Sequence, residues 1–552
     1  MERIHIKINE SIKITTKPGE TIRDLLRSHL PNDAYLPFLT VKNDLFASLN
    51  ETIQTDSSIS TLNHFYESER RAYENAAILI LSFVARQLFP KRRFFVKHSI
   101  CDGIYCEFLD ETPINSEEIE NIRREFANLV AENLPIRPVV WTLSDAIHHF
   151  ISRRQADTVR LLNQCSANFV TLYDLRGEMF WFPNPLAPET GLIQCYEIVP
   201  YDIGFVLRVP IEGNPNRLHS YQAQSKLGEI FHEAHDWGRI LELSYASDLN
   251  RAVVENTISD VIKISEALQE KKIAAIADQI DKNPNQARLV FVAGPSSSGK
   301  TTFMKRLYVQ LRVLGRKVIT LSLDNYFKDR DELKDETGKG INFEILDALD
   351  LTLLTEHLQR LLSGKTVTPP VYNFLIGRKV AGQTEIKSDK DTIFIIEGIH
   401  GINPNLTPMI EDRQKFRIYI SPLTHLNFDD TNRIPTHDTR LIRRIVRDAK
   451  YRGYSAAETI HMWKKVVGGE KKYIFTYQGQ ANIMFNSSLV YEIGALKTPA
   501  ELALKKVPIN DKSYPEADRL LYFLSYFLPI ENDEIPPTSI LREFIGKSSF
   551  VY

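Results

Sequence analysis

The sequence predicts a multidomain chain of mixed α/β and α+β architecture, whose C-terminal half is a mostly parallel sheet flanked by helices. Three observations carry this. The chain has 552 residues, more than one hydrophobic core organises. From residue 286 onward, short β-branched runs alternate with helical stretches, the βαβ signature of a parallel sheet. Ahead of that point the pattern differs, with strand-rich blocks over 1–62 and 63–215 and almost continuous helical character over 216–285.

The first block alternates apolar with polar residues at Ile4, Ile6, Ile8 and again at Ile12 and Ile14, with a turn at Asn9-Glu10. Thr21 caps a helix that ends near His29, and Pro31 stops it. A small two-layer module of β-grasp type, or another small α+β unit, fits this pattern. In the second block, Ala76, Ile80, Phe83, Val84 and Leu88 set a helical period over 67–90. Strand-like segments follow at 93–98 and 103–109. Asn115-Ser116-Glu117-Glu118 then opens a capped helix to about Asn133. An aromatic-rich alternating block covers 168–210, and the helical run after it ends at Asn283-Pro284-Asn285, the domain boundary.

Hydrophobic residues make up 43% and charged residues 25% of the chain, the balance of a soluble globular protein. A net charge of -2 points to no polyanionic partner, so an RNA contact would need a local basic patch. Four scattered cysteines make no disulfide framework. The start lacks the apolar centre of a signal peptide, and the longest apolar stretch, AAILILSFV at 76–84, is far short of a membrane span. A cytoplasmic location is expected.

The chemistry is concentrated at Gly294-Pro295-Ser296-Ser297-Ser298-Gly299-Lys300-Thr301. The run RLVFVA at 288–293 leads into it, and an amphipathic stretch over 300–314 leaves it. Strand, glycine-rich loop and helix N-terminus together form a cradle for phosphate, because successive backbone N–H groups converge there and the helix adds partial positive charge. Gly294, Ser297, Ser298, Gly299, Lys300, Thr301 and Thr302 are the expected ATP-binding residues. Lys300 would reach the β and γ phosphates, and the Thr301 hydroxyl would hold Mg2+.

Two acids follow strand-like runs on the same side of the expected sheet: Asp324 after KVITLSL and Glu397 after DTIFII. Ligand sites of such sheets lie beyond the carboxyl ends of the strands. A carboxylate there can take the proton of an attacking hydroxyl, or bind metal directly or through water. A fourth run, FRIYI, occupies 416–420. In DTRLIRRIVRDAKYRG at 438–453, Arg440, Arg443, Arg444 and Arg447 share about one helical face. Such a face is a solvated surface, a nucleic-acid contact, or in a kinase a lid that neutralises the transferring phosphoryl group.

The phosphate loop, LSLDNYF at 321–327, FIIEGIHG at 394–401 and DTRLIRRIVRD at 438–448 resemble, in order and spacing, the motifs of the uridine kinase family within the wider group that includes phosphoribulokinase. The resemblance covers roughly 286–480. It implies ATP-dependent phosphorylation of a nucleoside 5′-hydroxyl, with Asp324 as base and metal partner and Thr301 and Glu397 completing the metal environment. Glu344 falls where an acid grips the ribose hydroxyls and Tyr372 where an aromatic packs on the base. Arg440 would lie on the nucleoside side, with Arg443, Arg444 and Arg447 on the phosphates. Two departures stand out. Ile345-Leu346 replace the family's His-Pro, and the base-reading histidine after Tyr372 is absent from Leu375-Ile376-Gly377-Arg378.

The N-terminal half resembles a TGS module (1–62) followed by the editing-type domain of threonyl-tRNA synthetase (63–215), carried by ARQLFPKRRFFVKHSICDGIYCEF and INSEEIENIRREF. The histidines of the H-x-x-x-H segment are replaced by Tyr73 and Ala77, and Cys195 lacks its following histidine. This half is therefore read as a degenerate binding or scaffolding unit, 216–285 as a helical connector and 286–552 as the kinase with a C-terminal extension. His232-Glu233-Ala234-His235 is one residue short of a zinc-protease motif, and Cys101 and Cys106 read as buried thiols. Two alternatives stay open beside the nucleoside kinase. One is a kinase of another small hydroxyl compound, such as a sugar phosphate. The other is an RNA- or tRNA-associated protein that uses ATP as a switch.

Overall fold

The computed structural model describes residues 3–9, 11–31, 37–62, 67–165, 167–211, 213–220, 225–283, 287–333, 343–373 and 376–551. Glu10 of the expected turn, Pro284 and Asn285 of the expected boundary, and Leu375 lie outside these. Among the described residues no helix is long and apolar enough to cross a membrane.

The alternation at the N-terminus produces a five-stranded mixed sheet, from Ile4–Ile8, Ile12–Thr16, Thr40–Lys42, Leu45–Ala47 and Ser57–Thr61. Ile4, Ile6 and Ile8 point inward onto Ile22, Leu25 and Leu26 of the helix Ile22–His29, which Thr21 caps through a bond from the Asp24 amide. Next, the helices Glu67–Leu88 and Ser116–Glu132 share a core with a four-stranded antiparallel sheet. A three-stranded sheet joins them, in which Arg137–Thr142 pairs with Phe169–Leu175.

The C-terminal half is organised by a five-stranded parallel sheet. Its strands are β1 (Leu289–Ala293), β2 (Val318–Ser322), β3 (Ile393–Glu397), β4 (Lys415–Ser421) and β5 (Ile483–Asn486), in spatial order β2-β3-β1-β4-β5. All residues of β1, β3 and β4 are buried, as expected of central strands covered on both faces. β5 was not anticipated, since IMFN is too short and too plain a run to stand out.

Six helices bear on the site: α1 (Ile258–Asp281), α2 (Lys300–Val313), α3 (Thr436–Tyr451), α4 (Ala456–Tyr473), α5 (Glu492–Leu504) and α6 (Tyr514–Ser525). Helix α1, at the end of the expected connector, packs on α2. Arg306 of α2 reaches Glu270 at 2.6 Å, the buried Gln269 donates to the Ser488 carbonyl, and Tyr491 donates to Glu266 at 2.7 Å.

The N-terminal half is also joined to the parallel-sheet half by its interior. Trp181 packs edge-on against Phe428 and Tyr526, with ring centroids 5.9 and 5.3 Å apart. Arg433 donates to Glu74 at 2.8 Å, and Arg71 pairs with Glu516 at 3.5 Å.

Candidate active site

β1 delivers the chain into the phosphate loop at Gly294, and α2 begins at Lys300. Gly299 sits at φ +83°, a left-handed conformation that favours glycine, and a Cβ there would meet Ile540 Cγ2 at 2.5 Å. The Ser297 and Ser298 side chains are buried, and neither hydroxyl has a hydrogen-bond partner among the described residues. Buried hydroxyls rarely go unpaired, so the cradle has the donors an anionic ligand needs. Lys300 folds its ammonium onto the Pro295 carbonyl at 3.1 Å. Thr301 and Thr302 are the second and third residues of α2.

The strand register brings the two acids together. Ser322 of β2 pairs with Glu397 of β3, and the Ser322 hydroxyl donates to Glu397 at 2.8 Å. Asp324 follows in the short 3-10 turn Leu323–Tyr326. Burial raises the Asp324 carboxyl above its ordinary range, against the opposing charges of Lys300, Arg452 and Arg447. Burial and the charge of Asp324 push Glu397 up to about 7, while Lys300 and the Ser322 bond pull it down. Mutual influence of this kind means the two carboxylates and Lys300 share one centre.

Glu344 is pushed up to about 7, first by burial and then by Glu470, and it also senses Arg444, Lys300 and Asp324. It lies flat on Gly469 of α4, where a Cβ would collide with its own Cβ. Tyr372 is buried in an aromatic cluster with Phe327 and Phe343, centroids 5.8 and 6.2 Å away, and its amide donates to Asn325. The neighbours of Asp324 and Glu344 therefore hold Tyr372.

Arg440, Arg443 and Arg444 of α3 are buried and Arg447 is half-buried, rather than solvated. Arg440 donates to the Ser296 carbonyl at 3.2 Å and pairs with Glu470. Arg443 is fully buried, bonding Glu492 at 2.6 Å and the Ser487 carbonyl at 2.9 Å. Arg444 donates to the Ser296 hydroxyl at 2.8 Å and Arg447 to Asp448 at 2.7 Å. The helix thus braces the phosphate loop, with Arg440 on the loop side of the site.

Three acids that the sequence reading passed over complete the arrangement: Glu470, Glu492 and Asp448. Asp448 stands four residues after Arg444, a spacing that pairs charges on a helix. Glu470 and Glu492 meet their partners across helices, which no local spacing announces.

A strand, phosphate loop and helix with carboxylates at the neighbouring strand ends define a nucleotide-binding P-loop enzyme. Residues 289–493 match the model of the phosphoribulokinase / uridine kinase family. Uridine kinase from Brevibacillus brevis is 32% identical over 179 residues, 32% of this chain and 74% of that protein. Uridine kinase from Lactobacillus johnsonii is 31% identical over 179 residues, 32% of this chain and 76% of that protein. A solved structure of a possible uridine kinase from Bacillus stearothermophilus aligns over 39% of this chain and 98% of its own, at 20% identity and a TM-score of 0.28. The chain belongs to the phosphoribulokinase / uridine kinase family, and it is an ATP-dependent kinase.

Proposed function

We propose that this kinase transfers the γ-phosphoryl group of ATP to the 5′-hydroxyl of a nucleoside of the uridine or cytidine type. The convergence of Asp324, Glu397 and Lys300 at the carboxyl ends of β2 and β3 and the start of α2 carries the reading. Gly294, Ser297, Ser298, Gly299, Lys300, Thr301 and Thr302 would hold ATP, and Thr301, Asp324 and Glu397 would hold Mg2+. When bound, ATP supplies the phosphoryl group and the metal neutralises its developing charge.

Asp324 accepts the proton of the acceptor hydroxyl. Burial raises its affinity for protons, the direction that favours a base. Glu344 grips hydroxyls of the acceptor, Tyr372 packs on its ring, and Arg440 ties that side to the loop. Arg444 and Arg447 offset phosphoryl charge, while Arg443, saturated by Glu492 and Ser487, holds the loop in place.

The N-terminal half serves this kinase as a scaffold, with a TGS-like module over 1–62 and a degenerate editing-like domain over 63–215. Its two expected half-sites support that origin. The Tyr73 hydroxyl donates to the Cys195 carbonyl and accepts from the Cys195 amide, both at 2.9 Å. Tyr73 thus spends on backbone the position that a catalytic histidine would hold. We place the protein in the cytoplasm, and its net charge of -2 lends no support to an RNA partner.

ADP release measured across a panel of nucleosides and sugar phosphates tests the acceptor class. Turnover with uridine or cytidine supports the reading, and turnover confined to a sugar phosphate overturns it.

A further inference from the structure

We propose that the C-terminal segment contributes a nucleotide-site residue, Glu543, whose carboxylate holds the phosphate-facing donors of Thr302 until a nucleotide phosphate displaces it. The inference rests on the phosphate-loop reading above and reaches beyond the family-matching region, which ends at residue 493.

Thr302 is the third residue of α2. Its amide is one of the four N-terminal donors that a helix leaves without an internal partner, the groups that bind phosphate in such loops. Here both Thr302 donors are taken by one carboxylate. The Thr302 hydroxyl donates to Glu543 Oε2 at 2.8 Å, and the Thr302 amide donates to the same atom at 3.3 Å. Thr302 is itself fully buried. Among the described residues no cation lies within ion-pair distance of Glu543, and its carboxylate sits at the N-terminal end of α2. Glu470 makes the instructive contrast. It accepts from the Ser296 amide at 2.6 Å, but Arg440 pairs with it.

The segment is built to present this residue. Ile540 is buried against Gly299, and Phe544 is buried beneath Arg443, whose guanidinium lies 5.2 Å from the ring centre. Arg542, also buried, donates to the Asn532 and Gly546 carbonyls and so closes the turn that carries Glu543. Lys450 of α3 anchors the Ile545 carbonyl. The Glu543 charge also reaches Glu397, raising its affinity for protons. A nucleotide phosphate and the Glu543 carboxylate are both acceptors of the same two donors. Two anions cannot share them in a buried site, so binding must move Glu543 aside.

The test measures ADP, ATP and adenosine affinity by calorimetry on the full chain and on Glu543→Gln, with thermal unfolding confirming that the variant folds. Loss of the competing charge is expected to tighten ADP and ATP by about tenfold, equivalent to about 1.4 kcal/mol, and to leave adenosine, which lacks phosphate, unchanged. On the wild type, hydrogen exchange over 536–551 is expected to speed up when ADP is added, a readout independent of the variant. Unchanged or weaker ADP binding in Glu543→Gln, or unchanged exchange over 536–551, overturns the proposal alone. A wild type that binds neither ADP nor ATP overturns the phosphate-loop reading with it.

Discussion

The Ser322 hydroxyl donates a 2.8 Å hydrogen bond to Glu397 Oε1, fastening the ends of two parallel strands where the acids of the site converge. This bond lowers the proton affinity of Glu397, which burial and Asp324 have pushed up to about 7. A base and a metal-binding acid must both be ionised, so kcat/KM for MgATP, which reports the free enzyme, is expected to rise as pH climbs through about 7. Ser322→Ala removes a stabiliser of the ionised form and is expected to move the acid limb of that profile to higher pH. An unmoved limb would disconnect Glu397 from the rate.

Glu344 links the acceptor side to stability. Its folded proton affinity corresponds to about 7, against an ordinary value of 4.5. The folded state therefore binds more protons between those values. The stability this contributes is fully present below about 4.5 and lost as pH rises through about 7. Glu344→Gln cannot ionise, so its melting temperature is expected to exceed that of the wild type by on the order of a few degrees at pH 8 and to differ little at pH 5. The same variant is expected to raise the acceptor KM.

Arg443 and Arg447 share a helix face, yet their substitutions are expected to separate. Arg443→Met strands the buried Glu492 and is expected to cost about 3–5 kcal/mol of stability, seen as a lowered unfolding midpoint in denaturant. Arg447→Met leaves Asp448 with Arg444 and Arg452, so its midpoint is expected to hold while kcat falls by about 10²-fold.

The phosphate loop and four of the five parallel strands were legible because each is a local pattern: a glycine spacing, or an apolar run bounded by turns. Asp324 and Glu397 were legible for the same reason, since strand ends locate the site in this class of sheet. The spacing of the four arginines placed them on one helical face, but it did not give their partners. Spacing alone leaves a basic face solvated. Glu470 and Glu492, brought in from α4 and α5, bury it. Glu543 lies still further from the loop in sequence, in a segment whose apolar density announced burial and no more.

The interior that the two halves share makes a further claim. Trp181 packs on Phe428 and Tyr526 in one core with β1 and α3. Trp181→Ala is expected to cost about 3–5 kcal/mol and to lower the calorimetric transition that carries the nucleotide site. If only a separate N-terminal transition moved, the halves would be energetically independent.

Most directly, the central claim is tested by incubating uridine or cytidine with MgATP and the full chain, then analysing products by chromatography and mass spectrometry. A nucleoside 5′-monophosphate formed by the wild type, with the rate reduced by about 10²–10⁴-fold in Asp324→Asn, is the expected result. Equal rates in the two proteins, or no phosphorylated nucleoside from the wild type while a sugar phosphate is turned over, would contradict it.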